Sequence, residues 1–414
     1  MSLMKNETQF IRKLPMAVKD ETYYSTKSKS LPMGNRIAYV DNLRIYLTIL
    51  VILHHVAVVY GGAGGWPVIE GASDEFSPIL LTIFNAINQA FFMSAFFLLA
   101  GYFSPRAYDK KGPKNFMKDR VIRLGIPLAI YTTMIITINH YLVANYWYHE
   151  KMSIWDAIAY RIQNFEVIAG HLWFVQALLI FAGIYVLFRV LTARLSMNKG
   201  IRLFRDKYPS NKSLLLCIGV LALLTFTVRI FIPVGEEVFN LQLGHFVHYT
   251  FCFYAGILAY RGKWLERLSE AQARRWGIVS FAVMPFILVI ALVHVLLGGA
   301  LEGSDAYVRG GLYWQAFAYA VWETILMIGI ITWLLYIFRE KLNRSGPTTK
   351  KMAGNAYTVY IVHQTIVTGL AIVMVSIAIP TIIKFAIVSL IAVPLCFAIS
   401  HLIRKAPYTN KVLG

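Results

Sequence analysis

The chain has 414 residues, of which 57% are hydrophobic, 14% aromatic and only 15% charged, with a formal net charge of +19. A mean hydropathy of +0.57 excludes an ordinary soluble domain and describes a chain whose solvent is mostly lipid. Long apolar runs, rather than short alternating segments, favour membrane helices over a β-barrel.

In chain order the apolar runs predict ten spans: Asn42–Tyr60, Pro78–Phe103, Leu124–Trp147, His171–Leu191, Ser213–Ile232, His245–Tyr260, Trp276–Leu297, Leu312–Phe338, Asn355–Ala378 and Thr381–Ile403. The fold class expected is therefore all-α, a polytopic membrane protein with ten transmembrane helices around an intramembrane cavity. Residues 1–34 read as a cytosolic tail, 35–404 as one membrane domain and 405–414 as a second cytosolic tail. No apolar h-region precedes the first span, so no cleavable signal peptide is expected.

Charge alternates between successive connections. One side carries 35 of the 40 Lys and Arg residues, and the other keeps Lys151, Arg161, Arg229, Arg309 and Lys384. By the positive-inside rule both termini are cytoplasmic, in a cell (inner) membrane. The net charge thus reports topology and lipid contact, not nucleic-acid binding; a basic inner face also attracts anionic cytosolic molecules. Cys217, Cys252 and Cys396 stand isolated in apolar segments and read as packing residues. Two outer connections have character: the glycine run Gly61–Pro67, ending on a Trp of interfacial type, and the long aromatic stretch Ala144–Gly170.

The first span, YVDNLRIYLTILVILHHVAVVY, carries Asp41, Arg44 and His55. Ionisable groups within a membrane helix are costly and mark function by default. Arg44 and His55 are 11 residues apart, about 20° short of a whole number of turns, so they share a face roughly 16 Å apart, with Asp41 on nearly the same stripe. His54 points about 80° away from Arg44. The plainer alternative is an Asp41–Arg44 helix pair with His55 as a satisfied core histidine.

These residues resemble a known family. Asp41 followed by Arg44, ten residues and His55 looks like the first-helix signature of the acyltransferase family 3 integral membrane enzymes. FFMSAFFLLAGYF at Phe91–Phe103, FMKDRVIRLGIPL at Phe116–Leu128, HLWFVQALL at His171–Leu179 and YTVYIVHQ at Tyr357–Gln364 resemble further landmarks, in order. Among subgroups the chain looks most like the succinyl transferases of periplasmic glucans, although Ala100–Gly101 replaces the family's usual Ser-Gly on the second helix.

The resemblance implies transfer of an acetyl- or succinyl-like acyl group from cytosolic acyl-CoA, a co-substrate, to a hydroxyl of an extracytoplasmic glycan or other acceptor. It makes His55 the catalytic base, and imidazole is a base of suitable strength near neutral pH. Arg44, Arg120 and Arg123 become the coenzyme A-binding residues, because guanidinium forks bind phosphate oxygens bidentately; otherwise they are ordinary positive-inside charges. Asp41, Glu166, His171, Trp173, Glu323 and His363 are candidates for acceptor or cavity contacts. Arg229 is a possible partner for an acidic acyl group, against the commoner reading of a cation snorkelling to the interface. No metal is expected, because adjacent His54 and His55 do not share a face and no His-x-x-x-His pair is present. The oligomeric state is left open by the sequence, and a polysaccharide or lipid transporter or flippase, which also has about ten helices with midplane charges, stays as the rival.

Overall fold

The computed structural model describes residues 37–164, 169–194, 207–300, 303, 305–407 and 409–413. Glu166 and residues 1–34 of the expected tail lie outside them.

The regular secondary structure of the described residues is helical, apart from one isolated bridge between Val238 and Leu241. Helix α1 spans Ala38–Val59 and α2 Phe76–Arg120; after a π-helical turn at Val121–Gly125 follow α3, Ile126–Ile130, a second π turn at Tyr131–Ile135, and α4, Ile136–Tyr146. Next come α5, Ile154–Asn164; α6, Trp173–Arg194; α7, Asn211–Phe231; α8, Phe246–Gly262; and α9, Trp264–Arg267. The remainder comprises α10, Glu270–Val283; α11, Phe286–Leu296; α12, Asp305–Arg309; α13, Trp314–Glu340; α14, Pro347–Met374; α15, Thr381–Ile403; and α16, Thr409–Leu413.

Among the described residues eight helical segments are long and apolar enough to cross a membrane. The ten expected spans differ from these at two places. Phe76–Tyr146 is one helical path of 71 residues, broken at Gly112, whose φ of 72° leaves the helical region just before Pro113. Two expected spans fall on that path. Helix α8 has 17 residues and is shorter than the eight. The all-α polytopic membrane class is established, and its surface agrees with it: Leu215, Leu216, Val220, Leu223 and Leu224 of α7 face outward, whereas Thr48, Asn88, Ser94, His171 and His363 are buried. A lipid solvent permits this inversion, since apolar side chains lose nothing outside.

Packing places α1 in the interior. Ile52, Val56 and Val59 of α1, with Tyr60 just after it, join Val359 and Val367 of α14 and Val388 and Ala392 of α15 in one apolar cluster. Helices α2 and α8 approach through two glycines. A Cβ on Gly101 would lie 2.0 Å from the Phe253 carbonyl oxygen, and one on Gly256 would lie 2.1 Å from that of Leu98. Only a side chain reduced to hydrogen permits such backbone contact.

The Ala144–Gly170 connection contains the amphipathic helix α5, opened by a capping box in which the Ser153 N–H donates to Asp156 Oδ2 at 2.9 Å and the Asp156 N–H to Ser153 Oγ at 3.1 Å. Hydrogen bonds from the Ser153 hydroxyl and then its backbone N–H hold the Asp156 carboxyl below its ordinary range. A depressed carboxyl pKa stabilises the fold above the unfolded value and is lost as pH falls through the folded one. Amides at the start of α5 should therefore exchange faster with deuterium as pH falls below the carboxylate range, after correction for intrinsic rates. Ser153→Ala should produce the same loosening at neutral pH.

Candidate active site

His55 stands at the fourteenth position of the first span's apolar run counted from Asn42, and its half-buried ring is met by side chains from two other parts of the chain. His363 of α14 places Nε2 3.1 Å from His55 Nδ1. Trp66, from the glycine-rich loop after α1, stacks on the His55 ring with centroids 4.2 Å apart and planes inclined by 27°. The expected interfacial Trp is thus folded inward, over the imidazole. Its loop is held at the far end by Glu70, which pairs with Lys384, and by the Ser73 N–H, which donates to Thr381 Oγ1 at 2.8 Å.

Backbone carbonyls fix the tautomers. His55 Nδ1 lies 2.9 Å from the Val51 carbonyl oxygen and His363 Nδ1 2.8 Å from that of Tyr360. A carbonyl only accepts, so each Nδ1 carries the proton and each Nε2 the lone pair. His55 therefore offers an acceptor nitrogen on the side away from its own helix, while its Nδ1–H lies between Val51 and the lone pair of His363.

His171 completes the group, its ring centroid 4.5 Å from that of His363. Its Nε2 donates to the Tyr360 carbonyl at 2.9 Å, and its Nδ1 lies 3.1 Å from the Tyr131 hydroxyl oxygen. Gln364 Oε1 lies 2.5 Å from the same nitrogen and accepts from the Tyr131 hydroxyl. Two local distortions allow this meeting. The π turn at Tyr131–Ile135 aims Tyr131, which is fully buried, into the bundle. Gly170, at φ +49°, passes so near that a Cβ would fall 2.8 Å from the Tyr131 hydroxyl oxygen.

The other sequence candidates lie elsewhere. Arg44 pairs with Asp41 at 3.7 Å, one turn along α1. The Arg120 guanidinium lies 5.0 Å from the ring centroid of buried Phe116, and the Arg123 carbonyl accepts from Tyr357 at 2.8 Å. Trp173 stacks on Tyr249 at 5.4 Å, in an aromatic row that reaches Tyr360 through Phe174. Glu323 belongs to a second buried group, where its Oε2 pairs with Arg229 at 2.7 Å and its Oε1 lies 3.3 Å from His245 Nδ1. The snorkelling reading of Arg229 is thereby corrected: the guanidinium turns inward, is fully buried, and donates through Nε to the Gly244 carbonyl at 3.0 Å. No group of three or more His, Cys, Asp or Glu among the described residues is disposed to hold a metal ion.

A family model described as an acyltransferase domain matches residues 37–401. The chain belongs to acyltransferase family 3. It is 23% identical over 344 residues to glucans biosynthesis protein C of Escherichia coli K12, covering 80% of this chain and 82% of that one. The protein of the same name from E. coli O1:K1 is 24% identical over 345 residues, with the same coverage, and that of Salmonella typhi is 30% identical over 152 residues, or 36% of this chain and 38% of that one. No solved structure matches the chain. The family-level resemblance carried by the ordered motifs is therefore borne out. Within this acyltransferase family member, His363 and His171 were marked by two of those motifs, and Gln364 lies in one of them. Tyr131 carried no signal of its own and Trp66 only that of an interfacial Trp, since a π turn and a loop fold-back bring them in.

Proposed function

We propose that the protein is a membrane O-acyltransferase that moves an acyl group from a cytosolic acyl-CoA to a hydroxyl of an extracytoplasmic glycan, with His55 as general base. The observation that carries this reading is the fixed His55 tautomer, in a chain whose family is defined by acyl transfer. Family membership favours the enzyme over a transporter.

In the proposed step His55 Nε2 takes the proton of the acceptor hydroxyl as its oxygen attacks the thioester carbonyl. The tetrahedral intermediate collapses with cleavage of the carbon–sulfur bond, and the proton on Nε2 passes to the departing thiolate, giving the ester and free coenzyme A. While His55 holds that extra proton, its Nδ1–H is shared between the Val51 carbonyl and His363 Nε2, which spreads the charge. His171, Tyr131 and Gln364 hold His363 and Tyr360 in place. Trp66 covers the imidazole and limits water, which would otherwise hydrolyse the thioester.

The topology proposed with it has ten spans, the continuous path divided at Gly112 and α8 counted, a membrane domain over 35–404, and both termini in the cytoplasm. Arg44, Arg120 and Arg123 then stand on the donor's side and bind its phosphates. Asp41, Glu166, Trp173 and Glu323 remain candidates of lesser weight, Glu323 because Arg229 already occupies it. The glycan is taken from the name of the curated relatives.

The deciding experiment supplies purified protein in liposomes with radiolabelled acyl-CoA and a glucan acceptor. Label should pass to the glycan with release of free coenzyme A, and no acceptor-dependent release would refute the reading. Arg120→Gln with Arg123→Gln should raise the KM for acyl-CoA about tenfold or more, through loss of charge-assisted phosphate bonds, and leave the acceptor KM unchanged.

A further inference from the structure

Beside the histidine group lies a cavity of about 280 Å³ bounded by α4, α5, Pro67 and Gln364. Two of its walls lead to His55: Pro67 follows Trp66, which stacks on the base, and Gln364 follows His363, which touches it. On another wall is Asn139 of α4. It is 3% exposed, and its Oδ1 and Nδ2 are both buried without a hydrogen-bond partner among the described residues. An apolar side chain of this size would cost nothing there, whereas a buried amide left unmade at both ends is unfavourable. Asn139 lines the cavity, and a guest there supplies the missing bonds when the side chain turns toward it.

The chemistry of that guest follows from the amide. The oxygen needs a donor and the nitrogen needs an acceptor, side by side. A carboxylate satisfies only the nitrogen and an ammonium only the oxygen. Two neighbouring hydroxyls satisfy both, because each hydroxyl gives and takes one bond. The remaining wall suits a sugar ring. Tyr160 of α5 meets His140 edge to face, centroids 4.9 Å apart, and Tyr160 is 47% exposed at the mouth. Arg161 ties α5 down by donating to the Thr132 carbonyl at 3.1 Å. The volume is just under the range of about 300–1,000 Å³ that holds drug-sized ligands, so it accommodates one ring rather than a chain.

We propose that this cavity is the acceptor subsite, in which the Asn139 amide holds two adjacent hydroxyls of one sugar ring, with Tyr160 at the rim, and so presents a further hydroxyl to His55. The proposal rests on the acyl-transfer reading for its purpose, but not for its binding chemistry. It moves acceptor recognition away from Trp173, whose ring faces Tyr249 and Phe97.

The test measures equilibrium binding of a tritiated glucose tetrasaccharide to the full-length protein in detergent, without acyl donor, and acceptor and donor KM values in liposomes. Asn139→Leu should keep or raise thermal stability, weaken tetrasaccharide binding and raise acceptor KM about tenfold or more, and leave the acyl-CoA KM unchanged. Tyr160→Leu, at an exposed position that folding tolerates, should weaken binding severalfold in the same direction. Unaltered binding and acceptor KM in both variants would overturn the subsite, as would absence of tetrasaccharide binding to the unsubstituted protein. Binding that depends on Asn139 in a protein that consumes no acyl-CoA would uphold the subsite and refute the acyl-transfer reading instead.

Discussion

His55→Ala is expected to lower acyl transfer by about 10²–10⁴-fold, the usual contribution of a positioned general base, in protein that remains monodisperse and helical. The fall should appear in kcat, because His55 meets the acceptor proton in the transition state, and hardly in the KM for acyl-CoA. His55→Gln keeps a polar side chain of similar reach and should be equally inactive, which separates proton transfer from filling the space under Trp66. His363→Ala should cost less, since the Val51 carbonyl still fixes the tautomer of His55 at 2.9 Å. The rates of label transfer decide it: a folded, membrane-inserted His55→Ala protein with full transfer would remove the base from the scheme.

The first helix was the most legible part of the molecule because one physical rule singles it out. Asp41, Arg44 and His55 sit in an otherwise apolar run, and lipid makes each expensive. The all-α membrane class followed from composition for the same reason. The span number was less legible, since periodicity and hydropathy do not show that the path Phe76–Tyr146 is continuous with a break at Gly112, or that α8 stops at 17 residues. His171 and His363 were marked by ordered motifs, but not their mutual contact, which needs 191 intervening positions to fold back.

Tyr131 was silent in the sequence and Trp66 read as interfacial, for different reasons. A π turn shifts the facing of a helix by a fraction of a turn, so the ordinary 3.6-residue period assigns Tyr131 no special direction. Trp66 follows a glycine run that reads as flexible, and nothing local says that Glu70 and Ser73 will tether it to α15. Asn139 is hidden in a run of apolar and hydroxyl residues, and only the cavity shows that its amide is unpaired.

The second largest effect is expected at the buried group around Arg229. Position near the end of an apolar helix suggested snorkelling, but Glu323 is 94 positions away in sequence and reaches it from α13. The guanidinium is fully buried and Glu323 is 1% exposed, so neither charge can turn to water when its partner is lost. Glu323→Gln leaves the cation with the Gly244 carbonyl and His245 as its bonded neighbours, at 3.0 and 3.1 Å. Breaking a buried pair in this way costs about 3–5 kcal/mol, which should lower the midpoint of a thermal melt, followed by size-exclusion recovery in detergent, by many degrees. His248, held by the Thr324 hydroxyl at 2.9 Å and lying 3.9 Å from Glu323, would lose its acidic neighbour too. Removing both charges, as Arg229→Met with Glu323→Leu, should recover most of the lost stability, because an apolar pair of similar volume needs no desolvation. The two outcomes together separate a structural pair from a substrate contact. If the double variant regains stability and acyl transfer, the cluster only ties α7, α8 and α13 together; if it regains stability but not transfer, one of these charges meets a substrate.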